Sequence, residues 1–155
     1  MATLLIVDDE LSMRQFLTHL FQREGYSVRV AENGRSALAL LREQPADVII
    51  SDVRMPDMGG IDLLRATKEL HPQTEVIMMT AFANEETARE AVKLGAFNFV
   101  YKPFDNDLLK VIVHRAAQKI LDEREKQALQ VENEALIKGQ RARGQLGNIV
   151  GRSDR

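Results

Sequence analysis

Four short apolar runs in this sequence each lead into a side chain that can do chemistry. Leu4-Leu5-Ile6-Val7 meets Asp8 and Asp9, and Val48-Ile49-Ile50 leads through Ser51 to Asp52. Val76-Ile77-Met78-Met79 meets Thr80, and Phe97-Asn98-Phe99-Val100 is followed, past Tyr101, by Lys102. If these positions converge, the carboxylates of Asp8, Asp9 and Asp52 repel and raise one another's pKa. A hard divalent cation removes that penalty. Mg²⁺ suits such a set, because it takes few protein carboxylates, keeps waters and accepts phosphate oxygens. The charges of the three acids, the metal and Lys102 then cancel. A dianionic phosphoryl group entering the site meets two cations, the clamp that phosphoryl transfer requires. A carboxylate can itself be the nucleophile, giving an aspartyl-phosphate. Thr80 can donate a hydrogen bond to the new phosphoryl oxygens.

Taken singly, each residue has an ordinary explanation. Asp8-Asp9 could be a helix-capping pair, Asp52 a turn acid before Met55-Pro56-Asp57, Thr80 a strand residue, Lys102 a solvated charge and Phe99 a core aromatic. His19, His71 and His114 carry no ligand pattern, and Gly59-Gly60 matches no phosphate-cradling loop. The case therefore depends on elements that bring the residues to one edge.

The apolar runs, with Tyr26-Ser27-Val28-Arg29-Val30 as a further one, fit strands buried on both faces. Between them, Leu11–Arg23, Ser36–Arg42, Ile61–Leu70 and Ala83–Leu94 carry apolar residues at helical spacing. Gly25 and Gly95 can close helices, Asn33-Gly34 marks a turn, Asn84 can cap, and Pro45 and Pro72 stop helices. The alternation predicts an α/β fold: a doubly wound, five-stranded parallel sheet with helices on both faces. In such sheets the functional crevice lies beyond the carboxyl ends of the strands, which is where the acids, Thr80 and Lys102 fall.

Composition excludes several other classes. The chain has 155 residues, the length of one ordinary domain with a short appendage. Lys and Arg number 21 against 23 Asp and Glu, so it has no global basic field for nucleic acid. The absence of Cys rules out a disulfide scaffold, Cys-based zinc sites and a thiol nucleophile. The first apolar run is too short for a signal sequence or a membrane span, and a cytoplasmic location is expected.

After Asp105 the pattern changes. From Asp107 to about Gly139 there is no Gly or Pro, and the composition is strongly helix-forming. Leu108, Leu109, Ile112, Val113 and Ala116 suit packing on the sheet. Leu121, Ala128, Val131 and Ala135 form a seam, interrupted by Arg124 and Lys138, within a stretch of balanced charge. This predicts an extended C-terminal helix whose later part is a weak coiled-coil linker and dimer seam, or simply a solvated helix. Gly139, Gly144 and Gly147 end it. The expected division is residues 1–120, 121–144 and 145–155.

The motifs Ile6-Val7-Asp8-Asp9-Glu10, Asp52-Val-Arg-Met-Pro-Asp-Met-Gly-Gly60, Met79-Thr80-Ala81, Leu94-Gly95-Ala96 and Tyr101-Lys102-Pro103-Phe104 agree in order and spacing. Over about residues 3 to 119 the chain resembles a two-component response-regulator receiver domain. The resemblance implies a flavodoxin-like sheet of order 2-1-3-4-5. It implies that Asp52 accepts a phosphoryl group from a histidine kinase, and that Asp8, Asp9, Asp52 and the Arg54 backbone carbonyl hold Mg²⁺. It further implies that Lys102, Thr80 and the Ala81 amide contact the phosphoryl group, that Lys102-Pro103 is cis, and that Phe99 turns inward with Thr80 as a switch. Partner preference would change on the face of the fourth helix, fifth strand and fifth helix, a second possible homodimer surface.

Leu146-Gly-Asn-Ile-Val-Gly-Arg-Ser153 resembles the opening of the AAA+ ATPase domain in sigma-54-dependent transcription activators of the nitrogen-regulation type. Such proteins join a receiver, a helical linker, an ATPase and a DNA-binding domain. The chain would then be their N-terminal part, without ATPase or nucleic-acid binding of its own. Two other readings stand beside the switch. One is a binding module that works without phosphorylation. The other is an aspartyl-phosphate phosphatase of the haloacid-dehalogenase type; such enzymes place a general acid/base Asp two residues after the nucleophile, where this chain has Arg54, which cannot serve at neutral pH.

Overall fold

In the computed structural model the described residues are 2–55, 58–81 and 85–142, with side chains through residue 126. Strands and helices alternate as β1 Thr3–Val7, α1 Leu11–Gln22, β2 Ser27–Ala31, α2 Gly34–Glu43 and β3 Val48–Asp52. Then follow α3 Gly60–Leu70, β4 Glu75–Thr80, α4 Glu85–Lys93, β5 Asn98–Tyr101 and α5 Asn106–Ala142. The strands form one sheet of order β2-β1-β3-β4-β5, every neighbouring pair parallel.

Alternation along each strand sends successive side chains to opposite faces, and both faces are covered. Leu4 and Ile6, Val48 and Ile50, and Ile77 and Met79 pack with Leu17 and Phe21 of α1 and with Leu109, Ile112, Val113 and Ala116 of α5. On the other face Leu5, Val7, Ile49, Val76 and Met78 pack with Ala37, Leu38 and Leu41 of α2, Leu63 and Leu64 of α3, and Ala91 of α4. Two-sided burial is the reason these strands read as unbroken apolar runs.

The punctuation is local chemistry. Asn33 caps α2, its Oδ1 accepting from the Ser36 N–H at 2.8 Å. Asp105 Oδ1 accepts from the N–H groups of Asp107 and Leu108 at the start of α5. Gly25 and Gly95 take φ of 95° and 99° just beyond α1 and α4, a region costly for residues with a Cβ.

Boundaries differ from the sequence reading at several points. Asp52 and Thr80 are the last residues of β3 and β4, so the ladder holds their backbones directly. Helix α2 starts two residues early, at Gly34, because Asn33 supplies the cap. Helix α5 starts at Asn106 and continues through Gly139 to Ala142. One glycine costs a helix about 1 kcal/mol, too little to end it among strong helix formers. The capping role of Asn84, the side chains of Ala128, Val131 and Ala135, and the motif from Leu146 to Ser153 lie outside the described residues. The chain divides into two compact units, Met1–Ile120 and Leu121–Arg155. The first holds the sheet and its core; in the second, helix is described to Ala142. Among the described residues no helix is long and apolar enough to cross a membrane.

Candidate functional site

Backbone pairing delivers the candidate residues to one edge. Val7 pairs with Ser51 in the β1–β3 ladder, so the next residue of each strand path, Asp8 and Asp52, stand side by side. The Asp8 N–H donates to the Ala31 carbonyl at 3.2 Å, and the Lys102 N–H to the Thr80 carbonyl at 2.7 Å. These bonds extend the sheet one residue past β1 and β5 and fix where the side chains begin.

The side chains then meet. Lys102 Nζ lies 3.1 Å from Asp8 Oδ2 and 3.1 Å from Asp52 Oδ2. A carboxylate oxygen from each of Asp8, Asp9 and Asp52 lies within 4.8 Å of the others. Asp8 is fully buried, Asp52 nearly so, and Asp9 exposed. The cluster therefore has a buried floor and an open rim. Asp8 Oδ1 also accepts from the Glu10 N–H at 2.9 Å, and Asp52 Oδ1 from the Arg54 N–H at 3.2 Å.

Burial raises the Asp8 pKa. The Glu10 N–H and the Lys102 ammonium oppose the rise, and the Asp52 carboxylate adds to it. For Lys102 burial acts to lower the pKa, but hydrogen bonding and attraction from Asp52 and Asp8 outweigh it, and the net shift is upward. Lys102 therefore stays charged at neutral pH.

The other predicted residues sit on or next to β4 and β5. Thr80 is buried at the end of β4, tied to Lys102 through the backbone. Ala81 follows it, exposed. Phe99 packs against the α2/α3/α4 side of the core and edge-to-face with Tyr101, ring centroids 5.4 Å apart. The Lys102–Pro103 peptide bond is cis, as the resemblance implied. Asp8 and Asp9 are not a capping pair; Glu10 occupies the N-cap of α1 and makes no side-chain cap bond.

The roles of two residues escaped the sequence reading. Arg14 Nη1 donates to the Asp8 backbone carbonyl at 2.7 Å. The signal was available: a cation in the first turn of a helix opposes the helix dipole, so something else must hold it there. Gly60 is the other. A Cβ there would clash with the Asp52 carbonyl and stand 2.6 Å from Met78 Cε and 3.0 Å from Val53 Cα. Only glycine lets α3 begin this close to the loop after Asp52.

Three clustered oxygen-donor carboxylates, two of them paired with one ammonium, make a site that fits a hard divalent cation and an oxyanion together. The description "Response regulator receiver domain" matches residues 4–114. The chain belongs to the response-regulator receiver-domain family. Regulatory protein AtoC of Escherichia coli is 47% identical over 115 residues, 74% of this chain and 25% of that protein. The DNA-binding transcriptional regulator NtrC of Proteus hauseri is 40% identical, covering 72% of this chain and 24% of that protein. The crystal structure of NtrX from Brucella abortus aligns with a TM-score of 0.77 at 32% identity, over 83% of this chain and 29% of that one. The chain thus spans about a quarter of the length of the curated relatives it matches. As a receiver domain, its acidic pocket is that of Asp8, Asp9 and Asp52.

Proposed function

We propose that this receiver is a phosphorylation-driven switch in which Asp52 is the acceptor, and that it controls an output module for transcription activation of the sigma-54-dependent type. The single observation that carries the reading is the position of Lys102 Nζ, 3.1 Å from both Asp8 and Asp52, two of the three clustered carboxylates. An Asp52 oxygen attacks the phosphorus of a phosphohistidine on a partner kinase. The P–O bond forms as the P–N bond breaks, and the bonding pair leaves with the imidazole nitrogen. Asp8, Asp9, Asp52 and the Arg54 carbonyl hold Mg²⁺, which when bound neutralises charge on the phosphoryl oxygens. Lys102 shifts its pairing from the Asp52 carboxylate to a phosphoryl oxygen. The Thr80 hydroxyl and the Ala81 N–H donate to the others, and movement of Thr80 lets Phe99 turn inward.

Each chain modifies its own side chain, so this is not a turnover enzyme in the usual sense. Arg54 stands where a phosphatase of the aspartyl type would need its general acid/base. Residues 121–144 act as the linker, and 145–155 as the start of the output ATPase domain. The relatives, about three times as long as this chain and including a DNA-binding transcriptional regulator, support that arrangement and a cytoplasmic setting.

The test is mass spectrometry of the intact chain after acetyl phosphate and Mg²⁺, with peptide mapping. One phosphoryl adduct on the peptide carrying Asp52, lost in Asp52→Asn, is the expected result. Equal labelling of Asp52→Asn would reject Asp52 as acceptor, and hydrolysis of a phosphate ester at many turnovers per chain would reject the switch.

A further inference from the structure

The geometry points to Arg14 as a positioning residue for the cation site. It holds the peptide unit that joins Asp8 to Asp9, and so sets where both carboxylates can reach. The inference rests on the reading of Asp8, Asp9 and Asp52 as the cation ligands.

Asp8 is held at almost every polar group. Its N–H donates to the Ala31 carbonyl at 3.2 Å, and its Oδ1 accepts from the Glu10 N–H at 2.9 Å. Its Oδ2 faces Lys102 at 3.1 Å. Its carbonyl oxygen accepts from Arg14 Nη1 at 2.7 Å, a charge-assisted bond across six residues. That carbonyl belongs to the Asp8–Asp9 peptide plane. Rotating the plane would swing the exposed Asp9 side chain away from the two buried acids. Nothing in the rigid sheet prevents this, because the ladder ends with the Asp8 N–H. Arg14 supplies the missing restraint from the first turn of α1, where its own N–H bonds the Glu10 carbonyl at 3.1 Å.

The location is otherwise unfavourable. The first turn of α1 carries no acidic side chain, and its amide dipoles oppose a cation. Three neighbouring carboxylates attract one, and this suggests a rival role: Arg14 as a mere counter-charge. The two roles predict opposite signs. If Arg14 only adds positive charge, removing it strengthens Mg²⁺ binding. If it positions the peptide, removing it weakens binding, and outer-sphere partners of metal ligands typically contribute about tenfold or more in affinity.

The experiment is an Mg²⁺ addition series on the full 155-residue chain, followed by amide chemical shifts of Asp9, Glu10 and Val53. Wild type, Arg14→Met and Arg14→Lys are compared, with melting temperatures in EDTA. The expected result is an Mg²⁺ dissociation constant raised about tenfold in Arg14→Met. In Arg14→Lys, which keeps one point donor but not the fork, the rise is smaller. Shifts of Asp9 and Glu10 in the metal-free spectrum accompany both. An unchanged or lowered constant in Arg14→Met overturns the inference, whatever happens to its melting temperature. A loss of thermal stability with unchanged Mg²⁺ affinity makes Arg14 structural only and overturns it too. Absence of Mg²⁺ binding by wild type overturns the reading of the cation ligands and this inference with it, whereas normal wild-type binding with failure in the variants' prediction overturns this inference alone.

Discussion

Replacing Asp9 by Asn separates the folding of this domain from its chemistry. The Asp9 carboxylate lies within 4.8 Å of those of Asp8 and Asp52, and it is exposed. Two unit charges at that separation repel by about 0.9 kcal/mol with water-like screening and by about 3.5 kcal/mol at an effective dielectric near 20. Exposure of Asp9 places it near the lower figure, and Lys102, paired with both buried acids, offsets part of the two repulsions. Asp9→Asn should therefore stabilise the metal-free protein by about 1 kcal/mol, a rise in melting temperature of about 4 °C for a domain of this size. Mg²⁺ reverses the order. At a concentration about 100-fold above its dissociation constant, a bound cation stabilises wild type by about 2.7 kcal/mol, and a variant lacking one ligand loses most of that. Thermal unfolding in EDTA and in excess Mg²⁺ reads both effects. If the variant melts no higher than wild type in EDTA, the acids do not repel and the electrostatic reasoning is refuted. If Mg²⁺ raises both melting points equally, Asp9 is not a ligand.

Gly60→Ala should cost about 2 kcal/mol, since the added methyl meets the Asp52 carbonyl and Met78 Cε. It should also slow acetyl phosphate labelling, because relief of the clash moves the acceptor's backbone; urea unfolding and intact mass check the two. The linker is addressed by sedimentation. If the seam through Leu121 mediates dimerisation, the full chain associates at concentrations where a version ending at Ile120 remains monomeric, and identical monomeric behaviour of both removes the idea.

The parallel α/β architecture was legible because strands covered on both faces must be apolar throughout, as Leu4–Val7 and Val76–Met79 are. The chemistry of the site was legible for a related reason. Strand ends are the places where a buried sheet meets solvent, so Asp8, Asp52, Thr80 and Lys102 stand out immediately after apolar runs. Residue types and spacing thus determined the fold class, the positions of the candidate acids and their suitability for a hard cation and a phosphoryl group. They could not determine strand order, since equal apolar runs can pair in many sequences; the order was implied by family resemblance alone. Burial was equally out of reach. Asp8 and Asp9 are adjacent and chemically identical, yet one is fully buried and the other exposed, because the chain turns out of the sheet between them. The pairing of Lys102 with two acids 94 and 50 residues away, the hold of Arg14 on the peptide joining Asp8 to Asp9, and the clearance that requires glycine at position 60 are properties of distance in space. Only the folded chain decides them, because each depends on parts that sequence separation leaves independent until the sheet brings them together.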